Sequence, residues 1–301
     1  MKIALNLSFA VKRWMKPDQL AAMIRDDFNI DVVQFSWDFI DPWWPVELRR
    51  EMAQQWRAAF EAKGIRIAST FGGNAAYTFA HLLAPLKAQR EAEYLYFQRA
   101  IDLTRELGCD VMGTPVGAFT YDDARDERSR ERLYREMLDY LRKLAEYGKE
   151  QGLKEIHIEP CPVFAEFPYN IKDSLRLMQD LEGSAIPFRL LVDWGHALYR
   201  PLLGDEADIR LWFNPLSPYI GSIPLQQTAG AWDRHWDFTR EGIVTPELML
   251  GATKEAGLDD IYQYLEVVTI YEDDDDAVYA RMKETMDYLH KVEEQEAHEG
   301  A

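Results

Sequence analysis

The chain has 301 residues, 47% of them hydrophobic and 13% aromatic, enough for one large core. Its 52 acidic residues outnumber 34 basic ones, and the formal charge of −18 argues against nucleic acid or an anionic membrane as partner, since both are held through excess Lys and Arg. The two cysteines, Cys109 and Cys161, form no CxxC pair, so neither a disulfide framework nor a zinc knuckle is expected, and a reducing cytoplasm is the expected compartment.

Met1-Lys2-Ile3-Ala4-Leu5-Asn6 reads as the start of a strand, with no apolar leader of the kind that directs export. No stretch reaches the ~18 apolar residues of a membrane helix. From there strand-like and helix-like segments alternate. The pattern predicts a strand at 2–8, a helix at 17–27 opened by Pro17-Asp18, a strand at 31–37 and a helix at 46–63 stopped by Lys63-Gly64. A strand at 64–70 and a helix at 86–108 ending on Leu107-Gly108 follow. Next come a strand at 110–116, a helix at 127–152 ending on Gln151-Gly152, and a strand at 153–159. The remaining windows are helix 170–182, strand 187–193, helix 202–213, strand 220–226, helix 245–257, strand 261–268 and helix 275–296.

Eight such units predict an α/β fold, a closed (β/α)8 TIM barrel, as a single domain over residues 1–301. Asp273 to Asp276 reads as a solvated turn, and the Glu-rich tail after about residue 291, with His298 and Gly300, as a frayed end. His157 is expected in the barrel or against a helix, and His81, His290 and His298 on the surface.

Three acidic residues each end an apolar run. Glu159 closes Ile156-His157-Ile158-Glu159, Asp193 closes Leu190-Leu191-Val192-Asp193, and Glu266 closes Ile261-Tyr262-Gln263-Tyr264-Leu265-Glu266. A charge at the end of a buried strand is costly unless it is paired or binds a cation. In a barrel of this type the carboxyl ends of the strands share one rim, where active sites lie. Three carboxylates there suit one divalent ion held by oxygen ligands, Mn²⁺, Mg²⁺ or Co²⁺.

The runs Ile158-Glu159-Pro160, Val192-Asp193-Trp194-Gly195-His196 and Leu265-Glu266-Val267 resemble the metal-site strands of the xylose isomerase-like barrels. That superfamily holds sugar isomerases, ketose 3-epimerases and relatives of endonuclease IV. The resemblance spans the chain in order and spacing. It implies that Glu159 and Glu266 are both metal ligands and opposed proton carriers, that Asp193 is a plain ligand, and that His196 hydrogen-bonds the substrate. The implied reaction is metal-assisted proton transfer at carbon 3 of a ketose through an enediolate, which makes the chain an isomerase-class enzyme acting on a small sugar or sugar phosphate.

Strand seven departs from that pattern, which has a histidine ligand there. Here Ile220-Gly221-Ser222-Ile223-Pro224-Leu225-Gln226-Gln227-Thr228 offers none, and Pro224 falls at the ligand position. Gln226, two residues on, points to the same side as Pro224, so its amide oxygen is expected to complete the metal site, with Gln227 the next candidate. The alternative is that both amides meet substrate hydroxyls and water completes the coordination. The cluster Trp232-Asp233-Arg234-His235-Trp236-Asp237-Phe238 follows, and in it Arg234, assisted by His235, is the expected contact for a phosphate or the sugar end. Asn6 and Trp37, at the ends of strands one and two, are expected to form a second wall, with Trp43 and Trp44 nearby.

Loop runs narrow the resemblance to tetrulose-phosphate epimerases: Asp41-Pro42-Trp43-Trp44, Gln226-Gln227-Thr228 and Arg234-His235-Trp236-Asp237-Phe238-Thr239. Two other readings remain open, an aldose–ketose isomerase using the same metal and a decarboxylase of a 3-oxo sugar acid. A phosphodiesterase of the endonuclease IV type would need several histidines around a cluster of three metals, and the six present are mostly misplaced for that. Aromatic side chains at the surface point to a homo-oligomer.

Overall fold

The structure is a computed structural model that describes residues 1–299, with side-chain surroundings for residues 1–295. Eight strands form a closed barrel in chain order. They are β1 (Lys2–Asn6), β2 (Val32–Ser36), β3 (Arg66–Phe71), β4 (Val111–Thr114), β5 (Glu155–Ile158), β6 (Phe188–Leu191), β7 (Ile220–Leu225) and β8 (Tyr262–Leu265). Each lies at its expected place, and the helices fall between them, so the (β/α)8 barrel read from the sequence is the fold observed.

Contacts within the chain cluster into two compact units. One comprises Met1–Gln34, Ala58–Arg66 and the chain from Val192 onward. In it β1 runs parallel to β2, with Leu5 opposite Val33, and to β8, with Leu5 opposite Leu265. There β7 runs parallel to β8, with Leu225 opposite Leu265. Leu5, Val33, Leu225 and Leu265 are fully buried, as strands covered on both faces require. The other unit comprises Phe35–Arg57 and Ile67–Leu191. Its pairs are β3 with β4, β4 with β5, and β5 with β6, all parallel, and Met112, Ile156, Ile158, Leu190 and Leu191 form its buried layer.

Helix ends follow local chemistry. The helix Glu127–Gln151 starts where the Asp126 carboxylate accepts from the Ser129 backbone N–H at 3.2 Å, and stops at Gly152, whose φ of 82° no right-handed helix can continue. The window 202–213 is two helices, Arg200–Leu203 and Ile209–Leu216. Gly204, at φ 57°, breaks the first, and Asp208 caps the second by accepting from the Arg210 N–H at 2.8 Å.

The last helix runs Asp275–Glu299, so the segment after 291 is helical rather than frayed; the side chain of His298, and Gly300, lie outside the described residues. Of Asp273 to Asp276, expected as a turn, only Asp273 and Asp274 precede the helix; Asp275 and Asp276 open its first turn, with Asp274 accepting from the Ala277 N–H. His81, expected at the surface, is buried with its ring nitrogens on Glu93 and the Ala76 carbonyl, while His290 is half-buried against the Phe28 carbonyl. Among the described residues, no helix is long and apolar enough to cross a membrane.

Candidate active site

Asp193 follows β6 and begins a single helical turn, Trp194–Ala197. Its Oδ1 accepts from the His196 backbone N–H at 2.9 Å, an N-cap, and from the Gln226 amide at 2.8 Å. Its Oδ2 is buried without a hydrogen-bond partner. The turn is anchored by Trp194, fully buried, whose indole N–H donates to Gln263 at 3.0 Å.

Gln226 follows the end of β7 and makes three bonds. Its amide N–H groups donate to Asp193 Oδ1 at 2.8 Å and Asp233 Oδ1 at 2.9 Å, and its oxygen accepts from the His235 backbone N–H at 2.6 Å. The oxygen expected to meet a metal is therefore taken by the backbone, and the amide hydrogens face the carboxylates. Gly195 makes room for this, because a Cβ there would stand 2.4 Å from the Gln226 amide.

Gln227 turns away. Its oxygen accepts from Val244 and Thr228 N–H, each at 3.0 Å, and its N–H donates to the Val244 carbonyl at 3.1 Å, so it staples the ends of the loop after β7.

Within that loop Asp233 sits between two imidazoles, 3.1 Å from His196 Nε2 and 3.2 Å from His235 Nε2, and the two rings meet edge-on at 5.7 Å. His235 holds a left-handed backbone conformation, φ 44°. Three main-chain ties fix it: its own N–H on Gln226, its carbonyl accepting from Val268 N–H at 3.0 Å, and the neighbouring bridge between Trp236 and Gln227. With Nε2 on Asp233, His235 Nδ1 is buried and has no partner. Arg234, expected to grip an anion, is exposed with its guanidinium 5.4 Å from the Trp232 ring centre.

Glu266 follows β8, its N–H donating to the Leu225 carbonyl at 2.8 Å, and its Oε2 is buried and unpartnered. Asp193 and Glu266 offer ligand atoms within 4.8 Å of each other, and so do Asp193, His196 and His235 as a group. This is a carboxylate and imidazole site able to hold a metal ion.

Burial and neighbouring charges shift the titrating groups of the site. Burial pushes the Glu266 carboxyl up to about 7, aided by the charges of Asp193 and Asp233 and opposed by His235 and His196. Burial works against a charged His235, yet the charge and hydrogen bond of Asp233, with Glu266 and Asp193 behind, outweigh it and raise the imidazole to about 10. Asp233 is held well below the usual carboxylate range: burial opposes this, and His235 and His196 prevail.

Glu159, at the end of β5, is buried, with its N–H on the Thr114 carbonyl at 3.2 Å. Tyr77, in the segment after β3, donates its hydroxyl to Glu159 Oε2. Asn6 is committed to its own turn: Oδ1 accepts from Ser8 N–H at 2.8 Å and Ser8 O–H at 2.7 Å, and Nδ2 donates to Gln34 at 2.8 Å. Trp37 lines a cavity of about 330 Å³ with Trp43, Trp44 and Tyr96, and its indole N–H is buried without a partner.

Of the expected site residues, then, Asp193, His196, Gln226, His235 and Glu266 come together, while Gln227, Arg234 and Asn6 serve loop or surface contacts instead. Sequence reasoning missed Tyr77 and the bridging role of Asp233. Tyr77 lies in a segment marked only by Gly72-Gly73, whereas Asp233 stood in the aromatic and charged cluster already singled out.

The chain is similar to known proteins over most of its length. The profile of the xylose isomerase-like TIM barrel family matches residues 27–292. D-erythrulose 1-phosphate 3-epimerase of Brucella abortus (strain 2308) is 26% identical over 263 residues, covering 85% of this chain and 84% of that protein. A crystal structure from Rhodospirillum rubrum ATCC 11170, provisionally assigned as a xylose isomerase, superposes with a TM-score of 0.95 at 42% identity over 97% of this chain and 99% of that one. D-psicose 3-epimerase of Clostridium cellulolyticum H10 shares the fold, with a TM-score of 0.73 at 12% identity over 97% of this chain and 99% of that one.

Proposed function

The chain belongs to the xylose isomerase-like TIM barrel family, and we propose that within it the chain is a metal-dependent 3-epimerase of a small ketose or ketose phosphate. It is an enzyme of the isomerase class, the class of its named relatives. The observation that carries the finer reading is the set of buried carboxylates. Asp193 Oδ2 and Glu266 Oε2 are buried and lack partners, and these two carboxylates offer ligand oxygens within 4.8 Å of each other. Buried anions so close require a compensating cation. Oxygen ligands with an imidazole beside them suit Mn²⁺, Mg²⁺ or Co²⁺.

When bound, such an ion would polarise a ketose carbonyl and so acidify the hydrogen on carbon 3. The chain's own part is to move that proton. Glu159, with Tyr77 on its Oε2, and Glu266 are the proposed carriers, one removing the proton and the other returning one to the opposite face. His196 is the proposed contact to a substrate oxygen. The curated relative acts, by its name, on D-erythrulose 1-phosphate, which makes a tetrulose 1-phosphate the first substrate to try.

Turnover in D₂O tests the reading. An epimerase of this kind places one solvent deuteron at carbon 3 of the product, whereas hydride transfer between carbons 1 and 2 brings in none. Glu159→Gln and Glu266→Gln should each lower kcat by roughly 10²–10⁴ with little change in KM. A product with no deuterium at carbon 3 rules the mechanism out.

A further inference from the structure

Accepting the metal site proposed above, we infer that the missing strand-seven ligand has moved along the chain, and that His235, in the loop after β7, gives its Nδ1 to the ion while Gln226 positions the ligands without touching it. Pro224 has no donor in its side chain. The Gln226 oxygen is occupied by the His235 N–H at 2.6 Å, and the Gln226 amide hydrogens point at Asp193 and Asp233. An amide presenting hydrogens repels a cation.

His235 has what Gln226 lacks. Its Nδ1 is buried and unpartnered, as are Asp193 Oδ2 and Glu266 Oε2, so each of these three residues has an atom able to ligate a cation and without a hydrogen bond. Nε2 faces Asp233 at 3.2 Å. A histidine whose one nitrogen donates to a carboxylate can turn the other to a metal, which takes the place of the proton there, the usual arrangement behind a metal-bound imidazole. Asp233 would then be the carboxylate behind the ligand, and Gln226, bonded to Asp193, Asp233 and the His235 backbone, would fix all three in register.

The backbone points the same way. A non-glycine residue at φ 44° is disfavoured, and such conformations persist where surrounding contacts over-determine them. Here the contacts named for Gln226, Val268 and the Trp236–Gln227 bridge do so, and what they hold in place is the imidazole. Asp193 and His235 already offer ligand atoms within 4.8 Å. Two ligands on one ion, each roughly 2.0–2.3 Å from it, stand roughly 3–4.5 Å apart, so residues this near can share one ion.

Mn²⁺ added to the full-length, chelator-treated protein provides the test, read by pulsed electron paramagnetic resonance rather than by activity. The unmodified protein should show nitrogen coupling of a directly bound imidazole, with frequencies that change when histidine is supplied as ¹⁵N. His235→Gln should abolish that coupling and weaken Mn²⁺ binding by about 10–100-fold, while His196→Gln keeps it. Gln226→Ala should also keep the coupling while weakening binding, because it removes only the support. Circular dichroism on each variant confirms folding, and the isotope experiment needs no variant.

Mn²⁺ bound without nitrogen coupling, or coupling that survives in folded His235→Gln, overturns the assignment of His235 and leaves the carboxylate site standing. Failure of the unmodified protein to bind Mn²⁺, Co²⁺ or Mg²⁺ overturns both.

Discussion

Glu266 and His235 bear opposite charges when ionised, yet in the ion-free protein both make the folded state hold protons that the unfolded chain has released. Glu266 rises from 4.5 to about 7, so the folded chain is the more protonated between those values; His235 rises from 6.5 to about 10 and does the same over that range. Stability falls with pH wherever the folded state binds more protons, so both groups make it fall, in sequence, from about pH 5 to about pH 10. Asp233, held low, is ionised in both states across this window and adds no slope. Melting temperatures in EDTA should therefore drop steadily from about pH 5.5 to about pH 9, and Glu266→Gln and His235→Gln should each flatten their part of the curve. A flat profile for the unmodified chain would contradict the burial of these charges.

At the scale of elements, the contact that matters is between the single turn Trp194–Ala197 and the end of β7. The turn packs so closely that Gly195 leaves no space for a methyl group beside the Gln226 amide. Gly195→Ala should push Gln226 out, break its bonds to Asp193, Asp233 and His235 together, and lower stability by about 1–3 kcal/mol, the cost of unsatisfied buried polar groups. Gln226→Ala should match it in a urea unfolding titration, and the double variant should add little to either single one, since both remove the same bonds. Additive losses would show that Gly195 acts elsewhere.

The order of strands and helices was legible because apolar runs and glycine stops are local signals, as at Gly152. The split of the 202–213 window was not, since Gly204 reads as a helix stop only when φ is known. The carboxylates at the ends of β5, β6 and β8 were legible for the same reason as the strands. The direction in which Gln226, Gln227 and Asn6 turn depends on partners distant in sequence, such as Val244 for Gln227 and Gln34 for Asn6. Alternation along a strand gives the side on which a residue lies, and it says nothing of which end of an amide faces inward.

For the molecule as a whole, the ligands proposed from Asp193 onward come from separate stretches: Asp193 after β6, His235 in the long loop after β7, and Glu266 after β8. An ion joining them would be a reversible cross-link, closing loops of chain much as a disulfide does, in a chain whose two cysteines are free. The loop it would tether carries Arg234 and Arg240, both exposed and both sites for trypsin. Brief trypsin digestion should thus cut after Arg234 or Arg240 several-fold faster in EDTA than with Mn²⁺, as read by mass spectrometry of the fragments. Equal rates would mean that the loop is held without the ion. The left-handed turn at His235 then marks a point where occupancy of a small-ion site is converted into the chain's resistance to proteolysis.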